Sequence, residues 1–165
     1  MRITAELLAR AEQRTNPLGE RELVLQGLGI PVIENAAATR DAFDCWDLSN
    51  NRITRLDNFP KLSRLSHLLC AGNLIESLDA KNLSANLPNL KMLNLSHNSI
   101  SSLAEVANIG KACKSLKFLS LNGNPLTSTY YHPFFFWVDW CCLFVENNET
   151  TTRNSDSQNR LFCCH

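Results

Sequence analysis

The segment Leu65-Ser66-His67-Leu68-Leu69-Cys70-Ala71-Gly72-Asn73-Leu74-Ile75 follows the pattern L-x-x-L-x-L-x-x-N-x-L, with Cys70 in one leucine position. This pattern decides the fold, because it recurs in the same frame over residues 90–100 and 116–126. Residues 43–53 fit with Phe43 and Trp46 in leucine positions, and a fainter copy runs through Leu23, Leu25 and Ile30, with Leu28 in the asparagine position. Successive pattern asparagines are separated by 22, 25 and 26 residues: Asn51, Asn73, Asn98 and Asn124.

The spacing and the residue types together predict a repeat architecture. Leucines at every second position form a short strand with one buried face, and the asparagine follows where the chain must turn. Its amide can bond backbone groups of that turn and of the neighbouring one, so that buried polar groups stay paired. One repeat cannot bury its apolar face alone, but a stack of repeats can. We therefore predict an α/β fold: a right-handed, curved leucine-rich-repeat solenoid of about five repeats, with parallel strands on its concave face.

The chain divides into an N-terminal cap (1–20), leucine-rich repeats (21–127) and a divergent tail (128–165) that we expect to be disordered in part. Thr4 can cap a helix over about Ala5 to Arg14, which Asn16-Pro17 would end. An amphipathic element there would cover the open edge of the solenoid. Helical turns are also predicted on the convex side, over 82–86 and 103–113.

Charge and cysteine content exclude several classes of protein. Lysine plus arginine equals aspartate plus glutamate at 16 each, so no global charge points to nucleic acid or a membrane. The first 16 residues lack an uninterrupted apolar core, so we expect no signal peptide, and the seven cysteines then suggest a reducing compartment. Cys45 and Cys70 are predicted to be small core residues. The clusters Cys141-Cys142 and Cys163-Cys164-His165 lack metal-site spacing.

No catalytic residue, cofactor, metal or small-molecule substrate is predicted. The four histidines are not part of a motif with a nucleophile or a carboxylate, and no glycine-rich phosphate loop is present. Lysines near Cys113 could lower the pKa of its thiol, but no histidine motif accompanies it.

The residues between the core leucines of each strand are predicted to face the concave side. They are mostly small and polar, and a helix of a partner protein could lie close to such a floor. Asn50, Gly72, His97 and Gly123 would line the adjoining loop edge. Asp47 and Ser49 are not core positions in this frame, so arginine at either should weaken partner binding without unfolding the chain. The predicted partner-binding residues are Val24, Gln26, Asp47, Ser49, Leu69, Ala71, Asn94, Ser96, Ser120 and Asn122.

Two groups of basic residues have alternative interpretations. Arg52, Arg55, Lys61 and Arg64 could contact RNA phosphates, or could be solvated convex-side charges interleaved with acidic residues. Lysines three apart at 111, 114 and 117 are typical of a solvated helix face. No aromatic-rich strand suitable for stacking RNA bases occurs in the repeats, so any RNA contact should be to the backbone, alongside a partner.

Stretches outside the repeat pattern carry a more specific resemblance, which covers about Ile3 to Thr127. The chain resembles the U2 small nuclear ribonucleoprotein A-prime family, and Ile-Pro-Val-Ile-Glu-Asn at 30–35 is the most specific part. The stretches are Thr4-Ala5-Glu6-Leu7-Leu8, Glu20-Arg21-Glu22-Leu23, Ile30 to Asn35, Phe43-Asp44, Asp47 with Ser49 and Asn51, and Leu56 to Leu62. The resemblance implies a non-catalytic nuclear scaffold in pre-mRNA splicing. It implies that the concave face and neighbouring loops grip an RNA-recognition-motif protein, B-double-prime, and that U2 snRNA is bound mainly through that partner.

The likeness stops after Asn124-Pro125-Leu126-Thr127. From about Ser128 the family's capping segment and charged tail are replaced by an aromatic, cysteine-rich stretch and then a polar one. We interpret this tail as a retained intron, an alternative exon or a gene-model error, which transcript sequencing would decide. Its apolar run is too short to span a membrane. A second hypothesis keeps the fold and changes the partner: a cytoplasmic leucine-rich-repeat adaptor, such as a phosphatase regulator or a motor subunit.

Overall fold

The structure is a computed structural model that describes residues 3–129 and 142–144. A seven-stranded sheet runs along one side of the molecule in the order β1-β2-β3-β5-β7-β8-β9, and β4 and β6 form a second, two-stranded sheet. The strands are β1 Glu12–Thr15, β2 Arg21–Val24, β3 Cys45–Asp47, β4 Arg55–Leu56, β5 His67–Leu69, β6 Ser77–Leu78, β7 Met92–Asn94, β8 Phe118–Ser120 and β9 Cys142–Phe144. The helices are α1 Ala5–Arg10, α2 Ala80–Asn86, α3 Leu103–Ala112 and α4 Pro125–Thr129, with a 3₁₀ turn over Ala36–Thr39.

Each predicted repeat contributes one strand to a parallel array, which confirms the leucine-rich-repeat fold. Strands β2, β3, β5, β7 and β8 pair in parallel and in one register, so Leu23, Trp46, Leu68, Leu93 and Leu119 lie side by side. These five residues are at most 1% exposed. Because strand side chains alternate between faces, the residues on either side of them point to the opposite, solvent side of the sheet.

The pattern asparagines form a buried ladder beneath the turns, as predicted. Asn73 Nδ2 donates to Leu48 O of the preceding repeat at 2.9 Å and to Cys70 O of its own repeat at 3.1 Å. Its Oδ1 accepts from Ile53 N at 3.1 Å. Asn51, Asn98 and Asn124 make the equivalent three bonds. Within the described residues, no buried side-chain nitrogen or oxygen lacks a hydrogen-bond partner.

The first repeat carries Leu28 in the asparagine position, and the structure gives the reason. Its upstream neighbour in the sheet is β1, which is antiparallel to β2, so no equivalent parallel strand precedes it to offer a matching carbonyl. An amide there would be partly buried without its cross-repeat acceptor, which costs free energy. Leu28 instead packs, partly buried, against the hydrophobic core.

The N-terminal cap differs from its prediction. Thr4 does cap α1, accepting a hydrogen bond from Leu7 N at 3.1 Å, but the helix ends at Arg10 rather than near Arg14. Residues Glu12–Thr15 form strand β1, which pairs antiparallel with β2. The edge of the parallel sheet offers unpaired backbone groups, and a strand satisfies them where a continued helix could not. Asn16 completes the hairpin, because its Oδ1 accepts from Leu18 N and Glu20 N.

The convex side contains the predicted helical turns. Helix α2 is capped by Asp79, which accepts from Lys81 N and Asn82 N, and α3 is capped by Ser102, which accepts from Glu105 N. Helix α3 ends at the C-cap residue Cys113, which is buried. Burial raises the pKa of the Cys113 thiol, so the expectation that nearby lysines lower it is wrong.

The last element among the described residues is β9, which pairs antiparallel with β8. Both ends of the parallel array are therefore flanked by an antiparallel strand. Residues 130–141 and 145–165 of the predicted tail, with Cys141 and the cluster Cys163-Cys164-His165, lie outside the described residues, and the expected disorder is not tested there. Among the residues that are described, no helix is long and apolar enough to cross a membrane. The same residues contain no group of three or more histidine, cysteine or acidic side chains that could hold a metal ion.

Candidate functional site: the concave face

The solvent-side residues of the parallel strands form three rows, which we call the concave face. The register aligns the first two rows across β2, β3, β5, β7 and β8. Hydrogen bonds such as Gly27 N to Ser49 O and Gly72 N to Ser96 O continue this alignment into the third row. The first row is Glu22, Cys45, His67, Met92 and Phe118; the second is Val24, Asp47, Leu69, Asn94 and Ser120; the third is Gln26, Ser49, Ala71, Ser96 and Asn122.

All ten residues predicted for the concave face fall in its second and third rows, so the structure brings them together. Most are half-buried or exposed, but Asp47 is only 8% exposed. Its Oδ1 accepts a hydrogen bond from Ser49 N at 2.9 Å, and Asn94 makes the same bond to Ser96 N. Asp47 therefore helps to hold the strand end, whereas the Ser49 side chain is available to a partner.

The sequence prediction did not include the first row. It covered only the positions on either side of the third leucine of each repeat, whereas the first-row residues come directly before the second leucine. Period-two alternation extended by one step toward the N-terminus would have found it.

Cys70 is a core residue as predicted. Cys45 is buried as predicted, but its register places it between Glu22 and His67 on the concave face. Burial, and secondarily the Glu22 carboxylate, raises the pKa of Cys45 to about 12, so the thiol stays protonated.

Charge is concentrated at the N-terminal end of the concave face. Arg14 of β1 reaches across the hairpin to Glu22, with its Nε 2.7 Å from Oε2 and its Nη2 3.2 Å from Oε1. The hydrogen bond and the charge of Glu22 raise the pKa of the Arg14 guanidinium. Glu22 and Asp47 are both buried there, at 5% and 8% exposed. This end of the face is thus rich in hydrogen-bond acceptors.

The C-terminal end of the concave face is uncharged. Met92 and Phe118 occupy its first row, and Phe118 is 39% exposed. Behind them, the hydroxyls of Ser96 and Ser120 lie 2.6 Å apart. A surface of this kind suits apolar side chains and neutral hydrogen-bonding groups.

The loop edge beside the third row is formed by left-handed residues, one from each repeat. The predicted edge residues Asn50, Gly72, His97 and Gly123 have φ between 54° and 70°. Glycines and larger residues alternate: a Cβ on Gly72 would overlap the Asn50 side chain, and one on Gly123 would lie 2.5 Å from His97 Nδ1. The larger side chains therefore cover the backbone of the next turn.

The predicted basic group does not form a single patch. Arg64 precedes β5 and pairs with Asp44 at 2.9 Å, while Arg55 lies in the second sheet and pairs with Asp57 at 3.0 Å. Arg52 follows β3 at the opposite end of that strand from Asp44, and Lys61 lies between β4 and β5. All four side chains are exposed, which fits the interpretation as solvated charges.

Comparisons with known proteins agree with this architecture. A family model described as leucine-rich repeat matches residues 1–137. The U2 small nuclear ribonucleoprotein A′ of Mycosarcoma maydis is 44% identical over 138 residues, which cover 83% of this chain and 55% of that protein. The Homo sapiens protein of the same name is 42% identical over 132 residues, covering 80% of this chain and 51% of that protein.

A solved structure adds a match in three dimensions. A chain in the crystal structure of the Drosophila melanogaster SNF/U2A′ complex matches with a TM-score of 0.75 and 37% identity, covering 82% of this chain and 75% of that chain. The present chain spans about half the length of the curated relatives it matches. From its repeats, its register and these likenesses, the chain belongs to the leucine-rich-repeat family and, within it, to the U2 small nuclear ribonucleoprotein A′ proteins.

Proposed function

We propose that the chain is a non-catalytic scaffold of the spliceosomal U2 small nuclear ribonucleoprotein. Its concave face binds an RNA-recognition-motif protein of the B-double-prime type, and the pair holds a hairpin of U2 snRNA during pre-mRNA splicing in the nucleus. The observation that carries this proposal is the likeness to a chain of the SNF/U2A′ complex, at 37% identity and a TM-score of 0.75.

The shape and chemistry of the concave face support a protein partner. Its second and third rows carry mostly short side chains, so a helix can approach the strands closely. The concave face has acceptor groups at its N-terminal end and apolar groups at its C-terminal end. A partner helix with hydrogen-bond donors at one end therefore has a preferred direction, since the reversed helix would place those donors against Met92 and Phe118. Electrostatic matching of this kind fixes register and selects partners.

RNA is bound mainly through the partner in this proposal. Two of the four basic residues Arg52, Arg55, Lys61 and Arg64 are paired with carboxylates. Isolated arginines near a bound hairpin could still contact phosphates, which adds affinity without reading the sequence.

A titration of the full chain with the RNA-recognition-motif protein, with and without the snRNA hairpin, tests the proposal. Ser49→Arg should weaken binding by about tenfold or more, because a long cation would stand on the floor of the concave face. Ser101→Arg, at an exposed serine outside the concave face, is the matched control and should leave affinity unchanged. Failure of the folded wild-type chain to bind would favour the cytoplasmic adaptor alternative.

A further inference from the structure

His67, in the first row of the concave face, is held on one side by a hydrogen-bonded cluster. Its Nδ1 lies 3.0 Å from Glu20 Oε2 and 2.8 Å from Ser66 Oγ. Within residues 3–129, the hydrogen bonds of this ring all involve Nδ1. The side chain is 16% exposed, so part of the ring reaches the surface where a partner would lie.

Glu20 is itself fixed from two further directions. Its Oε2 also accepts from Asn16 Nδ2 at 3.0 Å, and its Oε1 accepts from Ser66 Oγ, which lies 3.2 Å away. Asn16 belongs to the β1–β2 hairpin turn, while Ser66 immediately precedes β5. The N-terminal hairpin therefore sets the position of a carboxylate that orients a side chain of the third repeat.

The cluster determines which ring nitrogen of His67 carries the hydrogen. An ionised carboxylate has no hydrogen to donate, so the contact with Glu20 requires an N–H at Nδ1. Ser66 is compatible with this, because its single hydrogen can point to Glu20 Oε1 at 3.2 Å while Oγ accepts from Nδ1. A neutral imidazole has a single N–H, so Nε2 is left as a bare acceptor. This tautomer follows from the hydrogen-bond network around the ring.

We propose that Nε2 of His67 accepts a hydrogen bond from an N–H group of the protein that binds the concave face, and so helps to select that partner. The inference rests on the proposed function. The carboxylate of Asp47, on the neighbouring strand, favours a lysine or arginine as the donor, because a cation gains from nearby negative charge. A partner with a carboxylate at this position would face Nε2 of His67 and the Asp47 carboxylate, and would be rejected.

Nitrogen NMR of the full chain tests the tautomer without any partner. In mildly alkaline buffer, where a histidine ring is neutral, the ¹⁵N shifts of the His67 ring should show a protonated Nδ1 and an unprotonated Nε2. Glu20→Ala removes the acceptor-only group and should allow the other tautomer, whereas Ser66→Ala keeps the carboxylate and should leave the tautomer unchanged. An N–H at Nε2 in the free wild-type chain would overturn the proposal.

Binding measurements test the recognition step. His67→Leu should weaken binding of the RNA-recognition-motif protein by roughly tenfold, because the partner's buried donor would lose its acceptor. Ser101→Leu introduces the same apolar side chain at an exposed position outside the concave face and should bind as the wild type does. If the wild type binds and His67→Leu binds equally well, this inference fails and the proposed function stands. If the folded wild type does not bind, both fail.

Discussion

The two faces of the same five strands follow opposite rules. On the core face, the aligned positions repeat almost one residue type: Leu25, Leu48, Cys70, Leu95 and Leu121 are at most 2% exposed. On the concave face, the residues aligned in any one row differ at nearly every repeat. The comparison shows that the residues that stabilise the fold are the same from repeat to repeat, whereas the residues available for recognition differ. Each repeat has the same internal support and is free to present a different side chain.

Truncating the core face should have the largest effect. Leu95→Ala should lower the free energy of unfolding by about 2–5 kcal/mol, since it removes buried methyl groups and leaves a cavity between adjacent repeats. The neighbouring Ser96→Ala, on the concave face, should cost less than about 1 kcal/mol. Urea denaturation of both variants measures the difference. Similar losses would show that the two faces are not separable in this way.

Asparagine itself can be compared on the two faces. Asn98→Ala leaves Ile75 N without its buried acceptor and should cost roughly 1–3 kcal/mol, whereas Cys70 O and Leu95 O keep the donors Asn73 and Asn124. Asn94→Ala on the concave face loses a bond to Ser96 N and should cost about 0.5–1.5 kcal/mol at most. Thermal and urea unfolding would rank the two. An Asn94 variant that is the less stable would contradict the distinction.

Two glycines with positive φ, Gly72 and Gly27, allow the cost of backbone strain to be measured apart from the cost of steric overlap. Gly72→Ala should cost about 1–2 kcal/mol for its positive φ of 67°, and more for the overlap with Asn50. Gly27 has a similar φ of 71° but no atom within 4 Å of an added Cβ, so Gly27→Ala should show the backbone cost alone. The difference in unfolding free energy between the variants gives the steric contribution. Equal losses would mean that the Asn50 side chain moves aside freely.

The smallest effect concerns acid stability at the entrance to β3. Burial alone would raise the pKa of Asp44, but hydrogen bonds from Arg21 N and the Arg64 guanidinium outweigh it, and the pKa is lowered. A carboxyl with a lowered pKa in the folded state stabilises above its unfolded pKa, near 3.9, and loses that contribution as pH falls through the folded value. Asp44→Asn should therefore cost at most about 1 kcal/mol at pH 7 and less at pH 3. A pH-independent difference would exclude this linkage.

The sequence predicted those parts of the molecule in which local pattern and tertiary structure agree. The asparagine ladder, the five parallel strands, and helices α2 and α3 all follow from short-range periodicity and capping residues. Strand β1 could not be predicted in this way, because Glu12–Thr15 has no apolar alternation and gains its structure from the open edge of β2. The separation of Arg52 and Arg64 likewise depends on how the repeats stack, which their closeness in sequence does not reveal.

The candidate site was predicted in part for a related reason. Alternation around the core leucines placed ten residues on the concave face, but His67 owes its orientation to Glu20, which lies 47 positions earlier and in a different element. A single sequence offers no signal for such a pair, because neither residue belongs to the repeat pattern. Only the register of the assembled sheet brings them together.

The hydrogen bonds of the asparagine ladder also follow the order in which the chain is synthesised. Every partner of Asn51, Asn73, Asn98 and Asn124 in the ladder precedes that asparagine in the chain. A ribosome makes the chain from its N-terminus, and domains generally fold in that order during synthesis. When each asparagine emerges, the carbonyls and the amide that it will bond have already been made. The solenoid can thus lengthen by one turn at a time during translation, each new repeat completing its polar contacts on the one before it.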